Sequence, residues 1–247
     1  MSSNPRTEFV AVDGLRLRTV RHGEGPPLRL INGLGAPAEM WLPLVRHLAD
    51  YELITFDLPG CGRSSTPAVP LGMRALGAIA AAVMERVGHP RADGLGYSLG
   101  GMVAAAWLML TPSRHGDRGA ANPIVPVIAG GRTSWDRSVL DANLPVRLAH
   151  APSLFGYLGQ LCAASGFSSH QWIRRVTQPT LVMAGDDDPL VPVSNARYLA
   201  WAIRVARLLV MRGAGHLMLI DDPRPASRLI LEFLQEEIVS HGRKLAA

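Results

Sequence analysis

The sequence predicts an α/β protein with a mostly parallel central sheet flanked by helices. Short apolar runs with the spacing of buried strands alternate with longer runs whose apolar residues recur at helical spacing. Strands in such an alternation are joined by crossover helices, which makes them parallel and covers both faces of the sheet. The chain has 247 residues, a length that suits one domain or one domain with an insertion.

The first predicted element is a hairpin. An apolar run at 9–12 and an alternating run at 15–20 flank Asp13-Gly14, a strong signal for a two-residue turn. The later elements are, in chain order, a strand at 28–31, a helix at 37–48, a strand at 51–56, a helix at 73–87, a strand ending at 97, a helix at 99–110, a strand at 180–184, a helix at 194–203, a strand at 206–211 and a helix at 225–239. Residues 124–128 predict only a reduced strand, because Pro126 suits a central strand poorly.

The middle of the chain interrupts this alternation and predicts a helical cap over one end of the sheet. Residues 132–177 have helical spacing, no convincing strand and many apolar and aromatic side chains. We therefore expect one structural domain, with a core over 1–131 and 178–247 and a cap at 132–177 inserted between its two parts.

Composition excludes several classes of protein. The formal net charge is +5, but the arginines are scattered rather than gathered on one stripe, so no nucleic-acid partner is expected. No apolar run approaches the roughly 20 residues of a membrane span, and residues 1–6 lack the apolar core of a signal peptide. We expect a cytoplasmic protein. Cys61 and Cys162 form neither a disulfide framework nor a metal site, and no dinucleotide or phosphate-loop motif appears, so no cofactor is expected.

The strongest local motif is Gly96-Tyr97-Ser98-Leu99-Gly100, which lies between a predicted strand and a predicted helix. A serine on such a sharp strand-to-helix turn is held above the edge of the sheet, and flanking glycines let neighbouring elements approach it. The motif predicts Ser98 as a nucleophile. It also places the N–H of Leu99 at a helix N-terminus, where it can stabilise an oxyanion.

A serine hydroxyl needs a base, and the base needs an orienting carboxylate. Both follow later strands in the order Ser, Asp, His: three aspartates at 186–188, then His216 after Gly213-Ala214-Gly215. Asp188 is our choice for the acid because it immediately precedes Pro189-Leu190-Val191-Pro192, with Asp186 as the alternative and Asp187 expected in solvent. The other histidines follow no such strand and are interpreted as surface or structural.

Two loops complete the predicted site. Asn32-Gly33-Leu34-Gly35 follows the third strand, so the N–H of Leu34 is expected to pair with that of Leu99 in an oxyanion hole, with Asn32 holding the loop. The turn after the fourth strand, 57–64, is interpreted as a fold marker without a catalytic part. Substrate contacts are expected from the apolar cap and from the residue after the histidine: Trp135, Leu140, Phe155, Tyr157 and Leu217.

Together these motifs resemble the α/β-hydrolase superfamily along almost the whole chain. Residues 30–36, 55–67, 178–192, 195–197 and 215–217 further resemble the intracellular poly(3-hydroxyalkanoate) depolymerases, as do 156–161 and 165–167 in the cap. The resemblance implies an α/β-hydrolase fold and a serine hydrolase that cleaves carboxylic esters through an acyl-enzyme. It also implies an aliphatic polyester of 3-hydroxyacids as substrate and a polyester granule surface as a partner.

Other functions remain open at this point. Leu99 stands where that family would have tryptophan, and Asp188 follows Ser98 at a short spacing, which predicts a trimmed cap. A general carboxylesterase or a perhydrolase would use the same triad, and a carbon–carbon bond hydrolase is a further alternative. A slow or non-catalytic ligand-sensing protein would share the fold, because fold does not determine function. The sequence leaves a homo-oligomer open.

Overall fold

A computed structural model describes residues 5–110, 124–130, 145 and 149–245, and the predicted α/β architecture is confirmed there. In the described residues nine strands form one sheet: β1 Arg6–Val12, β2 Leu15–His22, β3 Pro27–Ile31, β4 Glu52–Phe56, β5 Asp93–Tyr97, β6 Ile124–Gly130, β7 Thr180–Gly185, β8 Ala206–Met211 and β9 Gly215–His216. Their order is β1-β2-β4-β3-β5-β6-β7-β8, with β9 beside β6. Strands β3 to β8 are parallel, whereas β1, β2 and β9 pair antiparallel.

Helices cover both faces of this sheet. The α-helices of the described residues are α1 Leu42–Val45, α2 Met73–Arg86, α3 Leu99–Leu110, α4 Leu154–Ser165, α5 Val193–Ala202, α6 Met218–Asp221 and α7 Pro223–Leu245. In β4, Leu53 packs into a cluster with α1 and α7, while Ile54 packs into a second cluster with α2 and α3. This alternation buries both faces of the strand, as a parallel sheet between two helical layers requires.

The N-terminal hairpin forms as predicted. Val12 pairs with Leu15, so the turn between β1 and β2 has two residues. Asp13 has φ 48° and Gly14 φ 77°, which are the left-handed conformations of the tight turn that matches the twist of the strands.

The helix predicted over 37–48 is wrong in form. The segment is a 3₁₀ turn, Ala38–Trp41, followed by the single turn of α1. Pro43 has no N–H with which to continue an α-helical ladder to the carbonyl of Glu39, and the N–H of Leu42 bonds to that carbonyl instead.

Strand β6 is central despite Pro126. Pro126 pairs in register with Gly96 of β5, and on the other side the residues paired with β7 are Ile124, Val127 and Ile128. The pairing with β7 passes over the proline, which has no N–H to contribute. A proline is thus accommodated in the middle of the sheet by a local gap on one side.

The predicted cap is described only in part. Its described residues contain α4 and a short 3₁₀ turn, Ile173–Arg175. Trp135 and Leu140, two of the predicted substrate contacts, lie outside the described residues. The division into core and cap at 132 and 177 stays a prediction.

Candidate active site

The candidate site lies at the carboxyl ends of the parallel strands. Ser98 directly follows β5, the loop of Leu34 follows β3, Asp188 lies three residues after the end of β7, and His216 comes after β8. Because parallel strands end at the same edge of a sheet, residues far apart in sequence converge there, and this edge is where open α/β sheets bind ligands.

The turn at Ser98 is strained. Ser98 has φ 54°, a left-handed conformation that residues other than glycine rarely adopt. A Cβ atom at Gly100 would lie 2.0 Å from the carbonyl oxygen of Ile31, and one at Gly96 would lie 2.5 Å from the carbonyl oxygen of Gly100. Both positions therefore need glycine, as the motif predicts, and the close packing holds Ser98 in its strained turn.

His216 bridges a hydroxyl and a carboxylate. Its Nε2 atom lies 3.2 Å from the Oγ of Ser98, and its Nδ1 atom lies 3.1 Å from the Oδ2 of Asp188. These are hydrogen-bond distances, so the imidazole can take the hydroxyl proton at one nitrogen while the carboxylate orients the other.

The three consecutive aspartates have different surroundings. The Asp188 side chain is fully buried, and its Oδ1 accepts the N–H groups of Leu190 at 2.8 Å and Val191 at 3.0 Å, which leaves Oδ2 for His216. Asp186 is exposed and accepts the N–H of Gly213 at 2.6 Å. Asp187 is exposed. The geometry therefore favours Asp188 over Asp186 as the partner of the histidine.

Two features that the sequence did not reveal hold His216. Strand β9 pairs His216 with Ala129 of β6, so the histidine is part of the sheet rather than of a free loop. The hydroxyl of Tyr97 donates to the carbonyl oxygen of His216 at 2.5 Å. Tyr97 directly precedes the nucleophile, but nothing in its spacing indicates a partner more than 100 positions later.

The loop after β3 is fixed by Asn32, which is fully buried. Its Nδ2 donates to the carbonyl oxygens of Ala36 and Phe56, both at 3.1 Å, and its Oδ1 accepts from Trp41 at 2.7 Å and Thr55 at 3.0 Å. All the hydrogen-bonding positions of the amide are used. Asn32 therefore holds this loop against β4, as the sequence predicts.

The N–H groups of Leu34 and Leu99 are the two donors that the sequence predicts for an oxyanion hole. Leu99 is the first residue of α3, and the first N–H groups of a helix have no partner within the helix. Leu34 follows the buried Asn32, and its N–H has no acceptor among the described residues. Both are donors available to a ligand, so their pairing in an oxyanion hole stays a prediction consistent with this geometry.

A cavity of about 350 Å³ opens beside Ser98. Its apolar wall includes Met102, Ala105, Phe167, Ile173, Leu199 and Ile203, and Ser169, His170, Asn195 and Tyr198 are among the residues that add polar groups. The hydroxyl of Tyr198 lies 2.7 Å from Nδ1 of His170. From the sequence, His170 is expected to be a surface or structural residue, and nothing in its spacing indicates a place at this cavity.

The predicted substrate contacts that are described lie elsewhere. Phe155 faces a small recess with Pro59, Pro70 and Leu71, and Tyr157 packs on Gly35. Leu217 is half-buried against the cluster that contains α7. None of Phe155, Tyr157 and Leu217 is among the described residues that line the cavity at Ser98, so their contact with substrate stays a prediction.

The turn after β4 is held by a buried carboxylate and contains a buried thiol. Asp57 is fully buried and accepts the N–H groups of Ala38 at 2.7 Å and Arg63 at 2.9 Å. Burial raises the pKa of the Cys61 thiol to about 11, so the thiolate that a nucleophilic cysteine needs is scarce at neutral pH.

The described residues lack a cluster of potential metal ligands and a membrane-spanning helix. They contain no group of three or more His, Cys, Asp or Glu side chains placed to hold a metal ion. The described helices include none that is long and apolar enough to cross a membrane.

Fold and site together define a hydrolase of the α/β class, and comparison with known proteins identifies the family. The chain belongs to the alpha/beta hydrolase family, which it matches over residues 30–228. It is similar to a poly(3-hydroxyalkanoate) depolymerase of Ectopseudomonas oleovorans, at 33% identity over 92% of each chain. It is also similar to 3-oxoadipate enol-lactonase 2 of Acinetobacter baylyi, at 26% identity over 85% of this chain and 89% of that protein.

A solved structure supports the same assignment. The crystal structure of a hydrolase from Pseudomonas aeruginosa has 26% sequence identity and a TM-score of 0.75, and the match covers 92% of this chain and 98% of that one. The resemblance to the α/β hydrolases and to the depolymerases, inferred above from motifs, is thereby confirmed.

Proposed function

We propose that this protein hydrolyses carboxylic esters through an acyl-enzyme formed on Ser98, with His216 as base and Asp188 as its orienting acid. The observation that carries the proposal is the position of His216, 3.2 Å from the Ser98 hydroxyl and 3.1 Å from the Asp188 carboxylate. This is the arrangement that activates a serine for attack on a carbonyl carbon.

The proposed reaction has two steps. Ser98 Oγ attacks the ester carbonyl while Nε2 of His216 takes its proton, and the N–H groups of Leu34 and Leu99 stabilise the oxyanion. His216 then gives that proton to the leaving alkoxide, which departs as the alcohol. In the second step His216 takes a proton from water, the hydroxide attacks the acyl-enzyme, and the acid leaves with Ser98 reprotonated.

The proposed substrate is an aliphatic ester of a 3-hydroxyacid, in the form of a polyester or its oligomers. The named activities of two relatives support an ester, because a poly(3-hydroxyalkanoate) is a polyester and an enol-lactone is a cyclic ester. The apolar wall of the cavity beside Ser98 also favours an aliphatic chain over a charged one.

A comparison of substrates tests this proposal. Purified protein is given amorphous poly(3-hydroxyalkanoate) granules and, separately, p-nitrophenyl esters of increasing chain length. We expect release of 3-hydroxyacids from the granules and cleavage of the soluble esters, both absent in Ser98→Ala. Ser169→Ala is the matched control, since this serine also lines the cavity but has no contact with His216 among the described residues.

Three other outcomes of this comparison would each indicate a different function. Hydrolysis confined to short soluble esters would replace the polyester by a general carboxylesterase substrate. Peracid formation from acetate and peroxide without ester hydrolysis would favour a perhydrolase. Binding of such esters without turnover would favour a ligand-sensing protein and would contradict the proposed chemistry.

A further inference from the structure

Helix α4 docks on two loops of the core by very close contacts. A Cβ atom at Gly60 would lie 2.4 Å from the Cα of Gly156, so the two backbones touch where α4 crosses the turn after β4. The N–H of Ser153 also donates to the carbonyl oxygen of Gly60 at 3.0 Å. The first turn of α4 is thus packed against the turn that contains Asp57.

Gln160 lies on the next part of this helix and is buried, with 3% of its surface exposed. Its Oε1 accepts the N–H of Gly35 at 3.0 Å, while its Nε2 donates to the carbonyl oxygen of Pro59 at 3.1 Å and to the Sγ of Cys61 at 3.0 Å. One side chain of the cap therefore joins the loop after β3 to the turn after β4.

The bond from Gly35 to Gln160 also restrains Leu34, the residue before Gly35. Gly35 has φ 64°, and its peptide group with Leu34 is held at one end by Gln160. That peptide contains the carbonyl group of Leu34, whereas the N–H of Leu34 belongs to the preceding peptide. The bond to Gln160 therefore restricts one of the two backbone torsions of Leu34. The side-chain hydrogen bonds of Asn32 fix the start of the same loop, so Leu34 lies between two residues that are held in place.

We infer that Gln160 is a positioning residue that holds the N–H of Leu34 in the oxyanion hole, and that helix α4 thereby sets the rate of the chemical step. The inference rests on the proposed function, in which Leu34 is an oxyanion donor. Gln160 itself does not touch the reacting atoms. Because an oxyanion develops in the transition state, loss of this support lowers kcat and leaves KM nearly unchanged.

The main test compares Gln160→Leu with Ser153→Ala. Leucine fills similar space but cannot accept from Gly35, whereas Ser153→Ala removes the N-cap bond of α4 to Gly156 and leaves the Gly35 bond in place. We expect Gln160→Leu to lower kcat by about ten- to a hundredfold, less than the loss of a donor itself, with KM within about twofold. Ser153→Ala should keep kcat within about twofold.

A second variant gives a readout that a merely structural role would not change. Gln160→Glu keeps an acceptor for Gly35, but its buried carboxylate repels the carbonyl of Pro59; once protonated, it donates there as the amide does. Burial raises the pKa of such a carboxyl group. The kcat of Gln160→Glu relative to the wild type should therefore increase as the pH falls from about 8 to about 6. This variant also serves if Gln160→Leu does not fold.

Hydrogen exchange tests the inference without any substrate. In Gln160→Leu the backbone amides of residues 33–36 should exchange faster than in the wild type, and in Ser153→Ala they should not. Unchanged exchange in Gln160→Leu would overturn the inference even if no ester is cleaved. Failure of the wild type to hydrolyse any ester would instead refute the proposed function. An equal loss of kcat in Gln160→Leu and Ser153→Ala would overturn the inference about Gln160, since docking of α4 as a whole would then explain the effect.

Discussion

Asp188 divides its two carboxylate oxygens between the backbone and His216. Its Oδ1 accepts the N–H groups of Leu190 and Val191, and its Oδ2 lies 3.1 Å from Nδ1 of His216. The side chain is fully buried, and a buried carboxylate with such partners is held in one orientation. This relationship explains how one of three consecutive aspartates can have a function that its neighbours lack.

The first prediction separates Asp188 from Asp186. Asp188→Asn should lower kcat by about 10³- to 10⁴-fold, because an amide no longer selects the tautomer of His216 that accepts the Ser98 proton. Asp186→Asn should leave kcat within about threefold, since the Asp186 side chain is exposed and accepts only the N–H of Gly213 among the described residues. Steady-state kinetics on a p-nitrophenyl ester measures both. A larger loss in Asp186→Asn would exchange the two roles.

The second prediction concerns Asn32. Asn32→Ala leaves four groups without their partner, a half-buried one on Ala36 and buried ones on Phe56, Trp41 and Thr55. We expect a loss of at least about 3 kcal/mol in the free energy of unfolding, measured by urea denaturation. The exposed Asn195 supplies the control, and Asn195→Ala should change stability by less than about 0.5 kcal/mol. Similar stability of the two variants would contradict the structural role of Asn32.

The third prediction is a pH dependence of stability. Burial acts to raise the pKa of Glu39, but the hydrogen bonds and charge of Arg18 more than offset it, so the pKa lies below its ordinary value of 4.5. A group whose pKa is depressed in the folded state stabilises the fold above its unfolded pKa, and that stabilisation is lost as the pH falls through the folded pKa.

The test of this pH dependence uses Glu39→Gln. At pH near 7 the variant should be less stable by about 2 kcal/mol, because it loses a charge-assisted bond to Arg18. The difference should vanish below the folded pKa, where Glu39 is itself neutral. A difference that persists unchanged at acid pH would show that the ion pair is not its cause.

The fourth prediction concerns the two thiols. Cys162 is exposed, whereas Cys61 is buried and has a pKa raised to about 11. In the folded protein at about pH 8, iodoacetamide should modify Cys162 and spare Cys61, since the thiolate is the reactive form. Mass spectrometry of the digested protein locates the adduct, and urea-unfolded protein should react at both. Rapid native labelling of Cys61 would refute the described packing of Gln160 on it.

Local signals accounted for most of the fold. The Asp13-Gly14 turn and helix α3 were predictable because a two-residue turn and a continuous apolar run depend on neighbouring residues. The helix over 37–48 was not, because its apolar spacing suggested one element while Pro43 divided it in two. The central place of Pro126 was not predictable, because the gap in the pairing with β7 that accommodates it is a property of the assembled sheet.

The candidate site, like the fold, has features that the sequence predicts and features that it does not. Ser98 stands out because its turn is local and needs glycines at fixed offsets. Tyr97, His170 and Gln160 form hydrogen bonds with residues between 28 and 125 positions away in the chain. No spacing in the chain encodes such pairs, since they form only when strands and cap assemble.

The most direct test of Ser98 as the nucleophile is covalent labelling by a p-nitrophenyl phosphonate, which reacts with an activated serine and mimics the tetrahedral intermediate. We expect a single phosphonyl adduct, located by mass spectrometry on the peptide that contains Ser98, together with loss of ester hydrolysis. Ser98→Ala should carry no adduct, and His216→Ala should be labelled far more slowly because its serine has no base. An adduct on another residue, or labelling of Ser98→Ala at the rate of the wild type, would contradict the assignment of Ser98 as the nucleophile.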